Sequence, residues 1–341
     1  MPLQTITATA PIRICDNGGW TDTWVARRGQ VFNIAVTPRV TVRVEAFARG
    51  TREGRVILNV ANYATRYTPQ LEADDWGPHP LLEAALRAIP PPGHTDVELT
   101  IHSDAPAGAA TGTSAAVVVA LLGALDRLGG GTRTPMEIAT AAHAVETIQL
   151  GRQSGVQDQL CSALGGINFI DIVDYPRAIV SRLDLPDATH RELERRLALV
   201  YLGRPHSSTA VHERVMRDLE RLGPDCPALN TLRNAATQAR DAVLAGDFAA
   251  LGDAMRRNTD AQAALHADLV QRDARQIIAI AAAHSAVGWK VNGAGGDGGS
   301  LTLLCSPHAD ERRAMIRAIQ QDNPACEPIP IELSREGLRI E

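Results

Sequence analysis

The alternation of apolar and polar residues marks the strands in the first half of the chain. Residues 40–48 (VTVRVEAFA) place an apolar side chain at every second position, which is the pattern of a half-buried strand. The segments 31–36 and 55–60 are also strand-like, and residues 96–104 repeat the alternation. Because the first three segments follow one another closely, the pattern predicts an antiparallel meander near the start of the chain.

Apolar residues at helical spacing lie between these strands and continue into the second half of the chain. Further strands are predicted at 167–173, at 198–203 and on both sides of a glycine-rich segment near the end. Helices are predicted at 80–89, in the apolar run before Gly129, at 135–151, over most of 207–285 and at 309–321. Polar residues and prolines collect between 176 and 190. The chain is therefore predicted to be an α+β protein with two domains, residues 1–185 and 186–341.

The composition is typical of a soluble globular protein and argues against several classes of function. With 341 residues, of which 45% are hydrophobic and 21% charged, the chain is long enough to build two cores. A net charge of −5 without a basic run disfavours nucleic-acid binding, and no apolar stretch reaches the ~18 residues of a membrane span. Five cysteines without paired spacing indicate a reducing compartment, and the first residues lack a signal-peptide pattern. We therefore expect a cytoplasmic protein with no nucleic-acid or membrane partner.

The segment WKVNGAGGDGGSLTLLC at 289–305 contains the pattern G-x-G-x-x-G of dinucleotide-binding proteins. In that class a helix follows the glycines and holds the pyrophosphate at its N-terminus. Here the six residues after the glycines are apolar, rich in Thr and Leu, and run into a Ser-Pro pair, which predicts a second strand. A nicotinamide or flavin enzyme is therefore disfavoured, and the glycines need another explanation.

A second loop of small residues, PAGAATGTSAA at 106–116, follows a predicted strand and opens a long helix. Small side chains allow backbone N–H groups to approach a ligand, and the helix N-terminus adds a partial positive charge, so the loop suits phosphates. It is not a P-loop, because the Lys of that motif is missing. A tight strand-to-helix connection with Ser and Thr caps is the alternative.

Two further segments form a set of three motifs with the loop at 106–116. They are PIRICDNGGWTDTW at 11–24 and VETIQLGRQSGVQDQLCSALGGINFIDI at 145–172. Together with the loop at 106–116, they resemble in order the motifs of the GHMP small-molecule kinases, and most closely those of the branch that contains heptose-phosphate kinases and fucokinases. The glycines at 293–298 resemble the third motif of the same family.

The resemblance implies an N-terminal domain of the ribosomal-S5-domain-2 type and a C-terminal ferredoxin-like domain, with the active site in the cleft between them. It further implies ATP and Mg²⁺, a small-molecule sugar or sugar phosphate as the other substrate, and phosphoryl transfer to a hydroxyl, with the anomeric hydroxyl as the expected acceptor. Whether the protein is a monomer or a homodimer stays open.

The resemblance also assigns residues. Asp158 is expected to be catalytic with Arg13 beside it, and Ser114 and Glu146 are expected to hold the metal, since Mg²⁺ prefers oxygen donors. The nucleotide is expected to contact Pro106, Gly108, Ala109, Ala110, Thr111, Gly112, Thr113, Ser114, Gly293, Gly295 and Gly296. The sugar is expected to contact Thr21, Asp22, Gly165, Gly166 and Arg204.

Each assignment has a structural alternative. Asp158 would also serve as a helix cap, Arg13 as an ordinary strand-edge arginine and Glu146 as a solvated helix acid. Asp22 would brace its own turn, and the glycines at 165–166 would end a helix. The chain also departs from the family pattern, with Ala110 in place of a glycine, Cys15-Asp16-Asn17 in the first motif and Asp297 among the glycines. We expect Asp297 to face away from phosphates or to bind a backbone N–H.

The acceptor is predicted to be D-glycero-D-manno-heptose 7-phosphate, which requires a cationic cradle for its phosphate. Arg204 and His206, after a buried strand and before a helix, are favoured for the cradle, with Arg27, Arg28 and Arg152 as further candidates. An unphosphorylated sugar such as fucose, a mevalonate-type alcohol and a non-catalytic sugar or nucleotide sensor are the alternatives. The presence of Ser114, Glu146 and Asp158 together argues against the sensor.

Overall fold

The computed structural model describes residues 1–205 and 209–341. The first domain is built on a mixed sheet covered by helices on one face. Its strands are β1 (Gln4–Asn17), β2 (Gly29–Ala48), β3 (Val56–Val60), β4 (Thr65–Tyr67), β5 (Thr95–Ser103), β6 (Ile167–Asp174) and β7 (Arg177–Arg182). Its helices are α1 (Pro80–Ala88), α2 (Thr113–Leu128), α3 (Pro135–Ala144) and α4 (Gln157–Leu164).

The strand order of this sheet is β1-β2-β5-β3-β4, and β6 joins β2 to β7. Helix α2 is apolar almost all round, which is the pattern of a helix with no solvated face. It accordingly lies at the centre of the core, with Val119, Leu122 and Leu125 fully buried against the sheet. The start of this helix is therefore held rigidly, which matters for the loop that precedes it.

The second domain has a smaller sheet in which all strands are antiparallel. Its strands are β8 (Leu197–Tyr201), β9 (Gly288–Val291), β10 (Ser300–Leu304) and β11 (Glu327–Ile329). Its helices are α5 (Asp187–Arg196), α6 (Thr209–Leu222), α7 (Pro227–Ala245), α8 (Phe248–Leu265), α9 (Arg272–Ala283) and α10 (Ala309–Asp322). The strand order β11-β8-β10-β9 is that of a ferredoxin-like domain. The predicted two-domain α+β fold is confirmed.

The end of the chain returns to the first domain. A short strand β12 (Arg339–Ile340) pairs with β1, and Leu333 bridges to Val36. Arg39 donates hydrogen bonds to Ser334 Oγ at 2.7 Å and to the carbonyl of Glu336 at 3.0 Å. The domain boundary predicted at residue 185 lies between β7 and α5, but residues 332–341 belong spatially to the first sheet.

The predicted meander near the start is wrong in its pairing. Segments 31–36 and 40–48 form one strand, β2, whose first part pairs with β6 and whose second part pairs with β5. Strand β3 does not pair with β2 and lies parallel to β5 instead. Alternation indicates which face of a strand is buried, but the choice of partner depends on segments far away in sequence, so it could not be read locally.

The two domains share one core. Helices α7 and α8 pack against β1 and β2, so that Ile12 and Phe32 of the first domain lie in the same buried cluster as Ala239 and Met255 of the second. The residues that follow Ile12 along β1 are therefore enclosed between the domains. Within the described ranges, no helix is long and apolar enough to cross a membrane.

Gly165 ends α4 at the place where the returning C-terminal segment crosses the helix. Its backbone has φ +66° and ψ −172°, a combination that is essentially restricted to glycine. A Cβ at this position would lie 2.2 Å from the carbonyl carbon of Glu336 and 2.3 Å from the nitrogen of Gly337. Since both neighbours are backbone atoms, they cannot move aside as a flexible side chain would.

We therefore predict that Gly165→Ala destabilises the protein far more than Gly50→Ala. Gly50 also has a positive φ, +79°, but a Cβ there meets nothing within 4 Å. The control should cost about 1 kcal/mol for its backbone conformation, and Gly165→Ala should cost at least about 3 kcal/mol because the clash adds to it. Urea unfolding of both variants measures this, and equal losses would contradict the packing described here.

Candidate active site

Arg13, on β1, forms an ion pair with Asp158 in the first turn of α4. The Arg13 Nε lies 2.8 Å from Asp158 Oδ1 and its Nη2 lies 3.2 Å from Oδ2, so the pair is bidentate. The Arg13 side chain is buried, whereas the Asp158 side chain is 28% exposed. Burial disfavours the charged guanidinium, but the carboxylates of Asp158 and Asp16 outweigh it and raise the pKa of Arg13. The guanidinium therefore stays charged, and one face of the Asp158 carboxylate is left open.

Arg13 also fixes the small-residue loop before α2. Its backbone N–H donates to the carbonyl of Thr111 at 2.9 Å, and its Nη1 donates to the carbonyl of Ala110. The next carbonyl, that of Ala109, accepts from Ser300 Oγ at 2.6 Å. In a trans peptide the C=O and N–H point in opposite directions, so anchoring these carbonyls turns the N–H groups of residues 111 and 112 away from Arg13 and the N–H of Ala110 away from Ser300.

The loop continues directly into the N-terminus of α2. Gly112 is the N-cap residue with φ +71°, and no side chain in the described part of the chain caps the first turn. The first N–H groups of a helix have no intrahelical partner, so those of α2 add to the N–H groups turned outward by the loop. Sixteen residues of α2 align their dipoles behind this point. The arrangement is suited to binding an anion through backbone groups alone, and this region is called here the anion site.

The anion site and Asp158 are separated by a single residue. A Cβ on Gly112 would lie 3.2 Å from Asp158 Cγ and 3.3 Å from Arg13 Cγ. Ala110, where the family pattern has glycine, has φ +57° and adopts the left-handed conformation that its position requires. The loop thus accommodates the added methyl group.

The glycine loop between β9 and β10 reaches across from the second domain. The N–H of Gly293 donates to Asp16 Oδ2 at 3.0 Å, and Asn292 Oδ1 accepts from the N–H of Cys15 at 3.2 Å. Asp16 forms an ion pair with Lys290 of β9 at 3.3 Å, and both side chains are buried. Burial lowers the pKa of Lys290, and Asp16 partly opposes this shift.

Close approach explains why a glycine stands at position 293. A Cβ there would lie 2.9 Å from the carbonyl oxygen of Ala110 and 3.2 Å from Arg13 Nη2. The strands on either side of the loop pair with each other, so the predicted second strand after the glycines is present. Asp297 forms an ion pair with Arg204, and within residues 1–205 and 209–341 no backbone N–H donates to its carboxylate.

Two cavities flank Gly112. The first, called here the loop cavity, has a volume of about 230 Å³ and is mostly apolar. Its walls come from the loop, the start of α2 and the segments near β3 and α1, and they include Gly108, Thr113, Ser114, Asn62, Tyr63, His79, Leu82 and Arg152.

The second cavity, called here the Asp158 cavity, has a volume of about 160 Å³ and is more polar. It opens beside the free face of the Asp158 carboxylate and is bounded by both domains. Its lining residues are Arg13, Trp20, Asp22, Thr23, Gln153, Ser154, Gly155, Gln157, Asp158, His212, Gly293 and Ala294.

Asp22 is the second carboxylate of the Asp158 cavity. It is 3% exposed and accepts a hydrogen bond from the N–H of Gln157 at 3.1 Å. Burial, together with the charges of Asp158 and Asp16, raises the pKa of Asp22 to about 6. The position is therefore costly for a charge, and the cavity wall nearest Asp158 is acidic.

Glu146 and Ser114 are the two residues expected to hold the metal. Glu146 lies in a π-helical turn, Val145–Gln149, of a kind that is frequent at functional sites. Its carboxylate accepts from Gln159 Nε2 at 2.8 Å and has no ion-pair partner among the described residues. Burial raises the pKa of Glu146, and Asp158 adds to the effect. Ser114 is exposed and lines the loop cavity.

Several predicted sugar contacts lie elsewhere. Thr21 is fully buried and its hydroxyl is bonded to the carbonyls of Gly18 and Gln30. Gly165 and Gly166 end α4 against the C-terminal segment, which matches the helix-end alternative. Arg204 lies under the glycine loop, ion-paired with Asp273 at 2.7 Å and with Asp297. His206 falls outside the described residues.

Other residues of the site were missed in the sequence. Lys290 stands in the apolar strand GWKV, and a lone cation in such a strand is a usable signal for a buried ion pair. Asp16 was seen only as a departure from the family pattern. Trp20, Gln157 and His212 gave no signal, because their position depends on the contact between the two domains.

Comparisons with known proteins agree with this geometry. The sequence profile of the GHMP kinases N terminal domain matches residues 80–166. A mevalonate kinase of Thermococcus sibiricus is 31% identical over 252 residues, which cover 72% of this chain and 69% of that protein. A D-glycero-alpha-D-manno-heptose 7-phosphate kinase of Campylobacter jejuni is 24% identical over 243 residues, 71% of this chain and 69% of that protein.

A comparison with solved structures finds kinases of the same kind. The crystal structure of a D-glycero-D-manno-heptose 1-phosphate kinase from Bacteriodes thetaiotaomicron superposes with a TM-score of 0.75 at 20% identity, and covers 98% of both chains. At this identity the likeness concerns the fold, whereas the Thermococcus protein is similar in sequence over most of its length. The chain therefore belongs to the GHMP kinases, a family of phosphotransferases that act on hydroxyl groups.

Proposed function

We propose that the protein transfers the γ-phosphoryl group of ATP to a hydroxyl of a sugar bound in the Asp158 cavity. The observation that carries this proposal is the placement of Asp158 beside Gly112, with the amide-lined anion site on one side and a polar cavity on the other. Phosphoryl transfer needs this arrangement, since the attacking hydroxyl must face the phosphate across a short gap.

The loop and α2 are suited to the phosphates of ATP. The N–H groups of residues 110–112 point away from the groups that anchor the loop carbonyls and add to those of the first turn of α2, and the mostly apolar loop cavity beside them would take the adenosine part. Glu146 and Ser114 fit Mg²⁺, because one carboxylate without an ionic partner and one exposed hydroxyl leave the remaining positions to phosphate oxygens and water. When bound, the ion would neutralise charge on the phosphates.

Asp158 would orient the acceptor hydroxyl and accept its proton. Its free face is open to the cavity, while Arg13 holds the other face in a bidentate grip. Arg13 cannot act as the base, because a guanidinium stays protonated in proteins. It would instead hold the Asp158 carboxylate in place.

The lining of the Asp158 cavity supports a neutral sugar as the acceptor. Among its described lining residues the one permanent cation is Arg13, which is already bound to Asp158 and to the loop. Asp22 and Asp158 would repel a phosphate or carboxylate that lay against them. Arg204, predicted to hold a substrate phosphate, is paired with two carboxylates.

D-glycero-D-manno-heptose 7-phosphate is the second candidate for the acceptor. The similarity to the Campylobacter jejuni kinase and to the Bacteriodes structure supports it. Mevalonate, named for the Thermococcus relative, would bring a carboxylate into an acidic cavity and is less well supported by the geometry. All five cysteines are buried and unpaired, which supports action in the cytoplasm.

Removal of the Asp158 carboxylate tests the proposed role directly. Asp158→Asn should lower kcat by roughly 10²–10⁴-fold, the usual effect of losing a general base, and should leave the affinity for ATP nearly unchanged. Asp174→Asn is the control, since Asp174 is an exposed carboxylate at the end of β6 and should keep full activity. Activity of Asp158→Asn within a few-fold of the wild type would show that Asp158 is a structural helix residue.

The pKa of Asp22 provides a test of whether this residue contacts the sugar or braces its own turn. Because the folded protein raises this pKa from 3.8 to about 6, Asp22 favours folding most below pH 4 and loses that contribution as the pH rises through 6. Asp22→Asn removes the cost of burying the charge. Relative to the wild type, the variant should therefore gain up to about 3 kcal/mol of unfolding free energy between pH 4 and pH 7.

The same variant should raise KM for the sugar, because an ionised carboxylate is the stronger hydrogen-bond acceptor for a hydroxyl. Urea unfolding at the two pH values and sugar kinetics at pH 7 measure both effects, with Asp174→Asn again as the control. A variant that is less stable at pH 7 and binds sugar normally would identify Asp22 as a turn brace.

A further inference from the structure

Two residues that line the Asp158 cavity each carry a buried polar atom without a hydrogen-bond partner among the described residues. The two atoms are the indole Nε1 of Trp20 and the amide Oε1 of Gln157. Both residues are 6% exposed and both line the cavity. A buried polar group without a partner costs about 1–3 kcal/mol, so two of them on residues that line one cavity point to a ligand.

Trp20 is held in place by an unusual backbone. Its φ is +76°, a rare value for a bulky residue that persists only where the surroundings impose it. Thr23 Oγ1 donates to the carbonyl of Trp20 at 3.0 Å, and the N–H of Gly18 donates to Asn258 Oδ1 at 2.7 Å. The ring of His212 stacks on the indole with a centroid distance of 5.0 Å and an interplanar angle of 25°. The indole is thus fixed by both domains.

The chemistry of the two atoms defines the group that they would bind. An indole N–H only donates and an amide oxygen only accepts, whereas a hydroxyl does both. A phosphate or carboxylate oxygen would satisfy Trp20 but would leave Gln157 Oε1 unpaired, next to the acidic Asp22. Neutral hydroxyls satisfy both atoms without adding charge.

We propose that Trp20 and Gln157 are specificity-determining residues that recognise a hydroxyl edge of the acceptor sugar, apart from the hydroxyl that faces Asp158. The proposal rests on the proposed sugar-kinase function and goes further by naming the groups that select the sugar. A site built to bond a hydroxyl discriminates strongly against the analogue that lacks it, because its own buried polar atoms then stay unpaired.

The test compares L-fucose, D-mannose and D-galactose with the monodeoxy analogues of whichever sugar the wild type phosphorylates best. For the wild type, kcat/KM should fall by about 10²-fold or more for one analogue that still carries the reacting hydroxyl. In Trp20→Phe and in Gln157→Met, kcat/KM for the parent sugar should fall at least about tenfold, whereas kcat/KM for that analogue should change little. The ratio of the two kcat/KM values should therefore shrink for the same hydroxyl position.

Trp24→Phe is the matched control. It makes the same change in a neighbouring tryptophan, which packs edge-on against Tyr175 at 6.4 Å, lies 6.4 Å from the ring of His212 and is not among the described residues that line the cavity. Its ratio of kcat/KM between the parent sugar and the deoxy analogue should equal that of the wild type. Gln157→Met provides an independent result if Trp20→Phe folds poorly.

The outcomes separate the two proposals. If the wild type phosphorylates sugars but both variants keep its full deoxy discrimination, the recognition role is overturned and the sugar-kinase function stands. If the wild type transfers phosphate to no sugar in the panel while it phosphorylates mevalonate, the proposed function fails and the recognition role fails with it.

Discussion

The arrangement of the site depends on the buried guanidinium of Arg13. One side chain grips Asp158 through two nitrogens and reaches the carbonyl of Ala110 with the third, while its own backbone bonds the carbonyl of Thr111. The fork of an arginine is suited to this, because its donors lie in one plane with fixed directions. The same group therefore sets the direction of the carboxylate and, through the peptide planes, the direction of the amides that would face the phosphates.

The second domain completes this arrangement instead of merely covering it. The glycine loop lies against Arg13 and Ala110 because Gly293 has no side chain, and Ser300 anchors the carbonyl of Ala109 from the same domain. The buried pair of Asp16 and Lys290 ties the loop to β1, and breaking one partner would leave an uncompensated charge in the interface. The path of the loop at 106–116 is thus fixed by contacts from both domains. The site is therefore complete only when both domains are folded and packed together.

The parts of this arrangement that are local in sequence could be predicted, and the parts that depend on distant contacts could not. Helix α2, the loop before it and the strand after the glycines follow from patterns within about 20 residues. The pairing of β3 with β5, the return of residues 332–341 to the first sheet, and the position of His212 opposite Trp20 each join segments far apart in the chain. Arg204 illustrates the same limit, because the local sequence does not distinguish an arginine that binds a substrate phosphate from an arginine in a surface ion pair.

The Asp158 cavity is lined by residues with an unpartnered donor and an unpartnered acceptor and has an acidic wall, and the central claim is that it accepts a neutral sugar. The most direct measurement is a competition assay with ATP in which L-fucose, D-mannose, D-galactose, D-glycero-D-manno-heptose 7-phosphate and mevalonate are present at equal concentration and each phosphorylated product is quantified. The account predicts the highest kcat/KM for one of the three neutral sugars. A highest value for mevalonate would contradict the sugar-kinase function, and a highest value for the heptose 7-phosphate would contradict the claim that the cavity selects a neutral acceptor.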